Sequence, residues 1–320
     1  MTAASVPAEP ISVIPAPADL IEPFFYDVVS ADGTVLKAWT NDPDCLIDGP
    51  TVLLCNGLGT NAWTMPAFLE PDCKVRVISF NHRGVGGSAR PSDPDRVGVE
   101  EFAEDALAVL DAAGLEHAVF MGWSIGVNTM FEVAVQHPER VDGLFAMAGV
   151  PGNTFGTMLE PLLIPAALAR IVSVNVSRAL KRTGKLISPI STRLPMGPRT
   201  ISALSHTGFM FPLPDPELAQ RALKEFVSTP VDWYFHLAVR TSTHKRVSLS
   251  GIDVPAMFVA GKWDLLAGPR AMRGAASRMK EATYVELNGS HFIGMEQPDA
   301  VHELLLEFLA SGVGRWSCDG

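Results

Sequence analysis

The feature that most constrains this fold is the alternation of short apolar runs with helical patterns. Residues 51–56 and 75–80 are mostly apolar runs, which is typical of strands buried on both faces of a parallel sheet. The chain then continues with a helix, a strand, a helix and a strand, at 99–115, 117–122, 127–136 and 141–148. This alternation predicts an α/β fold, in which helices on both faces cover a doubly wound, mostly parallel sheet.

A hairpin is predicted before this region and a helical insertion after it. Two strand-like runs, Phe24–Val29 and Val35–Thr40, flank the turn Ala-Asp-Gly at 31–33. Between 151 and 250 there are helical patches and prolines but no clear strand, and the alternation resumes at 254–260. We therefore predict a flexible, Ala- and Pro-rich arm, a two-part core and a helical cap inserted after the sixth strand, at 1–23, 24–150 with 251–312, and 151–250.

A serine stands between a predicted strand and a predicted helix in residues 122–126, Gly-Trp-Ser-Ile-Gly. The two glycines permit a sharp turn that exposes Ser124 at the C-terminal edge of the sheet. The helix that begins there directs its positive end toward the site. The three fixed positions alone give roughly 0.1 chance matches in a chain this long, so the strand and helix around them carry the argument. We interpret Ser124 as the candidate nucleophile.

A serine hydroxyl needs a base to become an effective nucleophile, and His291 is placed best for this task. It lies just after the last predicted strand, in a loop at the C-terminal edge of the sheet. His302 falls within the final helical pattern, His137 ends a helix, and His82 lies in another loop. We predict His291 as the base.

The base in turn needs an acid that holds its imidazole in the correct tautomer. Asp264 follows the predicted strand 254–260 and so lies at the same edge of the sheet. The alternative role for Asp264 is that of a helix N-cap, because a helical pattern follows it. We predict Asp264 as the acid.

The chain from about residue 24 to 309 resembles the α/β-hydrolase superfamily of serine hydrolases, in its esterase- and lipase-like form with a helical cap. The order Ser124, Asp264, His291 is the order of that superfamily. Residues 56–59, Asn-Gly-Leu-Gly, resemble the family's H-G-x-G oxyanion loop, with Asn56 in place of histidine. The resemblance implies that the backbone N–H groups of Leu58 and Ile125 bind the oxyanion that develops during acyl transfer.

A second stretch of the same resemblance is residues 81–88, Asn-His-Arg-Gly-Val-Gly-Gly-Ser, which is similar to the family's D-x-R-G-x-G-x-S loop. Asn81 replaces the usual aspartate. We interpret this loop as structural, with Arg83 holding backbone carbonyls. A phosphate-binding loop is not indicated, because the G-x-x-x-x-G-K pattern is missing.

The predicted cap differs in charge from the rest of the chain. Residues 152–249 contain 12 Lys or Arg and 5 Asp or Glu, a local charge of +7 in a chain of net charge −10. One interpretation is an apolar face on the core with a solvated basic face. The other is a basic, apolar mouth that contacts lipid or anionic ligands. Trp123, beside Ser124, and Trp233, in the cap, are predicted substrate contacts.

Composition excludes several other classes of protein. An acidic chain does not suit a nucleic-acid binder, and the four scattered cysteines form no zinc-ligand pattern. We expect no metal and no cofactor. The start of the chain has no signal-peptide pattern and no run reaches the length of a transmembrane helix, so a cytoplasmic protein is expected. The oligomeric state is left open.

These features predict a carboxylic-ester hydrolase that acts on a fairly apolar small molecule through an acyl-enzyme on Ser124. Serine at this position disfavours relatives with an Asp nucleophile, namely epoxide hydrolases and haloalkane dehalogenases. Lactonase, thioesterase, carbon–carbon bond hydrolase and perhydrolase activities use the same triad and stay open. A non-catalytic ligand-binding protein on this fold is a further alternative.

Overall fold

Eight strands form a single sheet in the computed structural model, which describes residues 20–193, 197–207 and 209–313. They are β1 (Phe24–Val29), β2 (Val35–Thr40), β3 (Thr51–Cys55), β4 (Arg76–Phe80), β5 (Ala118–Trp123), β6 (Val141–Met147), β7 (Ala256–Gly261) and β8 (Ala282–Leu287). Their order across the sheet is β1-β2-β4-β3-β5-β6-β7-β8. Strand β2 is antiparallel to β1 and β4, and all other neighbours are parallel. The predicted α/β class with a mostly parallel sheet is confirmed.

Helices connect the parallel strands and fill the long segment between β6 and β7. They are α1 (Val99–Ala112), α2 (Ile125–Gln136), α3 (Thr154–Thr157), α4 (Ala166–Ser191), α5 (Pro198–Leu204), α6 (Pro216–Ser228), α7 (Val231–Thr241), α8 (Pro269–Ala276), α9 (Ile293–Glu296) and α10 (Pro298–Ala310). Helices α3 to α7 lie in the segment predicted as the cap, and no strand occurs among its described residues. The exact division into core and cap stays a prediction.

Successive side chains of the central strands point to opposite faces of the sheet and are buried on both. Leu53 and Phe120 belong to one core cluster, with apolar residues of α1, α2 and α8. Leu54 and Met121 belong to the other, with residues of α10. Continuous apolar runs are therefore required here, because neither face of β3 or β5 meets water.

The parallel strands end at one edge of the sheet. Trp123, the last residue of β5, pairs with Met147 of β6, which in turn pairs with Val259 of β7. The loops that follow these strands consequently start side by side. This alignment brings residues far apart in sequence to one edge, which is where ligands bind in open α/β sheets.

Within the described residues, no single helix has both the length and the apolar composition needed to cross a bilayer. The segments Thr154–Leu162 and Ala166–Ser191 meet both criteria only when taken together, and they are bent by 113° relative to each other.

Only residues 20–23 of the predicted N-terminal arm are among the described residues. Residues 1–19 lie outside the described residues, and the last four residues of the arm are bound to the fold. The backbone N–H of Ile21 donates to the carbonyl oxygen of Leu69, and Glu22 forms an ion pair with Arg221 of α6. Ile21 and Glu22, near the end of the predicted arm, thus contact the fold.

The loop at 81–88 is closed by its own hydrogen bonds and by a buried ion pair. The amide nitrogen of Asn81 donates to the carbonyl oxygen of Gly86 at 2.8 Å. The Arg83 guanidinium donates two hydrogen bonds to the buried Asp105 carboxylate, at 2.9 and 2.7 Å, and also reaches Asp32. Our interpretation of Arg83 needs correction, because carboxylates hold it, with the Arg96 carbonyl as a further acceptor.

His82 of this loop is buried, and its imidazole ring packs edge-on against the ring of Phe102 with 4.4 Å between centroids. Burial lowers the pKa of His82 from 6.5 to about 4, because an apolar surrounding disfavours the charged imidazolium. Between pH 6.5 and 4 the unfolded chain binds a proton that the folded chain does not, so acidification favours unfolding.

We expect His82→Phe to flatten the dependence of stability on pH in this window. As the pH falls from 6.5 to 4, protonation linked to His82 should lower the free energy of unfolding of the wild type by about 3 kcal/mol. Urea denaturation at several pH values measures the effect, and His206→Gln, at an exposed position, is the matched control. Equal pH profiles for wild type and His82→Phe would contradict the assignment.

Candidate active site

Ser124 occupies the sharp turn between β5 and α2. Its backbone angles, φ 57° and ψ −118°, lie outside the regions that residues with a Cβ favour, and such strain costs of the order of 1–3 kcal/mol. The turn is held by hydrogen bonds from Ser124 N to Met147 O and from Val127 N to Ser124 O, both 3.1 Å. A Cβ at Gly126 would lie 1.9 Å from the carbonyl oxygen of Cys55, so only glycine lets α2 approach β3 this closely.

His291 bridges Ser124 and Asp264. Its Nε2 lies 2.9 Å from Oγ of Ser124, and its Nδ1 lies 2.8 and 3.0 Å from the two carboxylate oxygens of Asp264. An ionised carboxylate can only accept, so Nδ1 carries the proton and Nε2 is left to accept from the serine hydroxyl. The structure thus brings the three predicted residues into one hydrogen-bonded line, at the edge of the sheet where they were expected.

Asp264 is fully buried and is held in place by the backbone of its own loop. Its Oδ1 accepts hydrogen bonds from the N–H groups of Leu266 and Ala267, both at 2.7 Å. The helix that follows begins at Pro269, with Gly268 as its N-cap. Asp264 is therefore not the N-cap of α8, and its carboxylate faces His291.

The two predicted oxyanion donors line the same cavity as Ser124. Among the described residues, the backbone N–H groups of Leu58 and Ile125 donate to no acceptor. Ile125 is the first residue of α2, where an N–H has no partner within the helix. Unpaired backbone N–H groups of residues that line this cavity are the kind of donor that binds a developing oxyanion.

Asn56, which stands where the family resemblance has histidine, anchors the start of this loop. Its side-chain amide donates to Oγ of Ser79 at 3.0 Å and to the carbonyl oxygen of Phe80 at 2.8 Å. Thr60 closes the loop from the other end by donating its N–H and its hydroxyl to the carbonyl oxygen of Gly57. The loop that presents Leu58 is thus fixed at both ends.

Glu296, which sequence patterns did not single out, is a buried carboxylate that connects the loop of His291 to the cap. Glu296 accepts hydrogen bonds from the backbone N–H of Ser290, at 2.8 Å, and from the hydroxyl of Ser290. It also accepts from the backbone N–H of Phe211 in the cap, at 2.7 Å. Its closeness to His291 in sequence was the available signal, but its partner in the cap is 85 residues away.

A cavity of about 510 Å³ lies over Ser124 and His291, within the range of roughly 300–1,000 Å³ that is usual for small-molecule sites. Its wall is mostly apolar, and no Lys, Arg, Asp or Glu is found among its described lining residues. The hydroxyls of Ser173, Ser177 and Thr241 donate to carbonyls of their own helices, which leaves the wall with little polarity.

Trp123 and Trp233, the two predicted substrate contacts, have different surroundings. Trp123 lines the cavity, and its indole N–H donates to the carbonyl oxygen of His291 at 3.0 Å. Trp233 does not line the cavity, and the prediction for it is wrong in this structure. Its ring is buried beside Leu237, and its N–H donates to the carbonyl oxygen of Arg83 at 2.9 Å.

The orientation of α7 explains why Trp233 does not face the cavity. Its residues Tyr234 and Phe235 line the cavity, while Trp233 is directed to the glycine-rich loop of the core. A Cβ at Gly84, where φ is +73°, would lie 2.3 Å from the indole nitrogen of Trp233. Trp233 thus fastens the cap to the core, and the next two residues of the helix face the ligand space.

Within the described residues, no group of three or more His, Cys, Asp or Glu side chains is arranged to hold a metal ion.

Comparison with known proteins agrees with this architecture. The family model for the α/β-hydrolase fold matches residues 50–298. Epoxide hydrolase A of Mycobacterium tuberculosis is 27% identical over 299 residues, which cover 81% of this chain and 90% of that protein. The 3-oxoadipate enol-lactonase 2 of Acinetobacter baylyi is 25% identical over 255 residues, which cover 79% and 86%.

Solved structures share the fold as well. The enol-lactonase from Burkholderia xenovorans LB400 superposes with a TM-score of 0.65 at 22% identity, over 89% of this chain and 100% of that one. The family resemblance seen in the sequence is confirmed: the chain belongs to the α/β-hydrolase fold family.

Proposed function

We propose that this protein is a serine hydrolase that cleaves a carboxylic ester of an apolar small molecule through an acyl-enzyme on Ser124. The observation that carries the proposal is the 2.9 Å contact between His291 Nε2 and Ser124 Oγ inside an apolar cavity of about 510 Å³. A positioned base makes the hydroxyl a nucleophile, and the surrounding wall suits an apolar substrate.

In the first half of the reaction, Oγ of Ser124 attacks the acyl carbon and its proton passes to Nε2 of His291. The electron pair of the carbonyl moves to its oxygen, which the N–H groups of Leu58 and Ile125 stabilise. The tetrahedral intermediate then collapses, the bond to the alkoxy oxygen breaks, and His291 returns the proton to the departing alcohol.

In the second half, a water molecule attacks the acyl carbon of the acyl-enzyme. His291 takes a proton from the water and then gives it to Oγ of Ser124 as the bond between Oγ and the acyl carbon breaks. The products are a carboxylic acid and the free enzyme. Asp264 keeps its negative charge throughout and stabilises the imidazolium that forms twice in each cycle.

Similar proteins include both epoxide hydrolases and lactonases, and the residue at position 124 favours acyl transfer. We infer that the Ser124 hydroxyl, with His291 as its neighbouring base, attacks a carbonyl carbon. An Asp nucleophile, which the sequence analysis associates with epoxide hydrolases, is not present at this position.

A lactone is the second candidate substrate, because it is a cyclic ester and needs the same bond rearrangements. The similarity to enol-lactonases supports it. A lactone with a carboxylate substituent has no cationic partner among the described lining residues, so an apolar lactone fits better. Both candidates predict the same covalent intermediate on Ser124.

Two measurements test the proposal. A fluorophosphonate should label the protein once, with the label on the peptide that contains Ser124 as shown by mass spectrometry. A panel of p-nitrophenyl esters of graded acyl length, with apolar lactones and thioesters beside them, should show kcat/KM rising with acyl length until the cavity is filled. Turnover of none of these substrates, together with an unlabelled serine, would refute the proposed function.

The size of the cavity gives a further expected result. Ala238, in α7, lines the cavity, so Ala238→Leu should shorten it. We expect kcat/KM for long-chain esters to fall roughly 10- to 200-fold, while the acetyl ester is hydrolysed at nearly the wild-type rate. Steady-state kinetics on the ester panel measures this, and Ala310→Leu, at an exposed position of α10, is the control. An equal loss on short and long esters would speak for a folding defect.

We also propose a cytoplasmic location. The three cysteines within the described residues, Cys45, Cys55 and Cys73, are free thiols, as is usual in a reducing compartment.

A further inference from the structure

The exposed apolar side chains of this protein are concentrated on one element. Sixteen large apolar residues are exposed within the part of the chain that the structure describes, and nine of them lie between residues 162 and 190. They belong to α4 and to the turn before it. Leu163 is 70% exposed and Leu186 is 80% exposed. Large clusters of exposed apolar side chains are unusual on the surface of a monomeric protein.

These residues lie on one side of α4 in two groups, at 168–176 and 186–190, and the exposed stripe between the groups carries Asn175, Ala179 and Thr183. Leu168, Ile171, Val172, Leu186 and Ile190 follow the helical repeat and project away from the core. The opposite side of the helix, with Ala169, Val174 and Ser177, is buried. We call the exposed stripe the outer face of α4.

Four basic residues run beside this stripe. Arg178, Lys181, Arg182 and Lys185 are spaced by three, one and three residues, so they share one flank of the helix. None of them forms an ion pair with another described residue. The helix contains no Asp or Glu between Ala166 and Ser191. The surface therefore combines exposed apolar area with unneutralised positive charge.

We propose that the outer face of α4, with the turn at Leu162 and Leu163, docks on an anionic lipid bilayer. An apolar stripe flanked by cations is the pattern of a helix that lies in the membrane interface. The bilayer supplies the negative charges that the helix lacks, whereas a second copy of this chain would bring the same four positive charges.

The outer face adjoins the substrate cavity. Val176 of α4 is half-exposed and also lines the cavity, as do Ser173 and Ser177 on the inner side of the same helix. Docking would thus place the cavity wall at the lipid surface, from which an apolar ester can be taken up. This uptake rests on the function proposed above, but the docking itself does not.

Co-sedimentation with vesicles tests the proposal directly. The full chain should bind vesicles made of about equal parts phosphatidylglycerol and phosphatidylcholine, and much more weakly vesicles of phosphatidylcholine alone. Replacing the four basic residues by Gln should lower the partition coefficient by on the order of 10³-fold, given a contribution of about fivefold for each charge near such a surface. Leu168→Gln, Ile171→Gln, Leu186→Gln and Ile190→Gln together should lower it at least about tenfold.

Matched variants separate docking from general surface effects. Val29→Gln, Leu46→Gln and Val135→Gln remove exposed apolar side chains elsewhere, and Arg270→Gln with Arg278→Gln removes exposed charge from the core. Both sets should bind like wild type. If wild type does not bind anionic vesicles, or the α4 variants bind as it does, the proposal is wrong. It is also wrong if sedimentation velocity shows that the α4 variants convert a dimer to a monomer without any vesicle binding.

Hydrolysis of a water-soluble short-chain ester, measured on the same preparations, keeps the two proposals apart. The α4 variants should hydrolyse it at the wild-type rate, because none of the substituted residues lines the cavity. Normal hydrolysis without vesicle binding refutes docking alone, and vesicle binding without hydrolysis refutes the proposed reaction alone.

Discussion

Ser124→Ala should lower kcat for ester hydrolysis by on the order of 10⁶-fold, with the fold unchanged. Alanine removes the only atom that forms the covalent bond to the acyl group, and His291 is then left without the hydroxyl that lies 2.9 Å from its Nε2. The remaining activity should come from a water molecule that attacks a carbonyl polarised by the two free N–H groups. Pre-steady-state kinetics with ester in excess over enzyme should show no burst of alcohol release.

The control for this variant is structural as well as kinetic. Ser124 has a positive φ, and alanine adopts that conformation no more readily than serine, so the melting temperature should change little. Stoichiometric phosphonate labelling of Ser124→Ala would show that another residue is the nucleophile.

Asp264→Asn should lower kcat on the order of 10⁴-fold. The N–H groups of Leu266 and Ala267 both donate to Oδ1 of Asp264, and an asparagine will keep its carbonyl oxygen there. Its NH₂ group must then face Nδ1 of His291. The imidazole can satisfy that donor only in the tautomer with the proton on Nε2, which cannot accept the proton of Ser124.

Steady-state kinetics on one short-chain ester measures the loss. Asp253→Asn is a matched control, because this exposed carboxylate lies outside the site and pairs with Lys280. A loss of only a few-fold in Asp264→Asn would mean that the orientation of His291 is set by another group.

The strands, and the placement of Ser124, Asp264 and His291 at one edge of the sheet, could be predicted because local sequence determines them. A strand buried on both faces must be apolar throughout, as β3 and β5 are, and a serine between a strand and a helix requires the glycines that flank it. His291 and Asp264 could be assigned because the C-terminal ends of parallel strands meet at one edge of the sheet.

Contacts between distant segments were beyond this reasoning. Trp233 and Tyr234 are neighbours on α7, and nothing in their local sequence says which of them faces the core and which the cavity. Arg83 could be predicted to be structural, but its partner could not. Asp105 lies on α1, and its position in the helical pattern does not show that it pairs with Arg83. The cap side of the cavity is formed by helices α3 to α7, whose relative positions depend on long-range packing.

Glu296 links the loop of the proposed base to the cap. One carboxylate holds Ser290, the residue before the base, and also the backbone of Phe211 in the cap. The free energy of placing His291 and the free energy of holding the 211 segment in place are therefore not independent quantities. A displacement of the 211 segment weakens the restraint on the base, so a substitution in that part of the cap is expected to alter the catalytic constant together with the affinity for substrate.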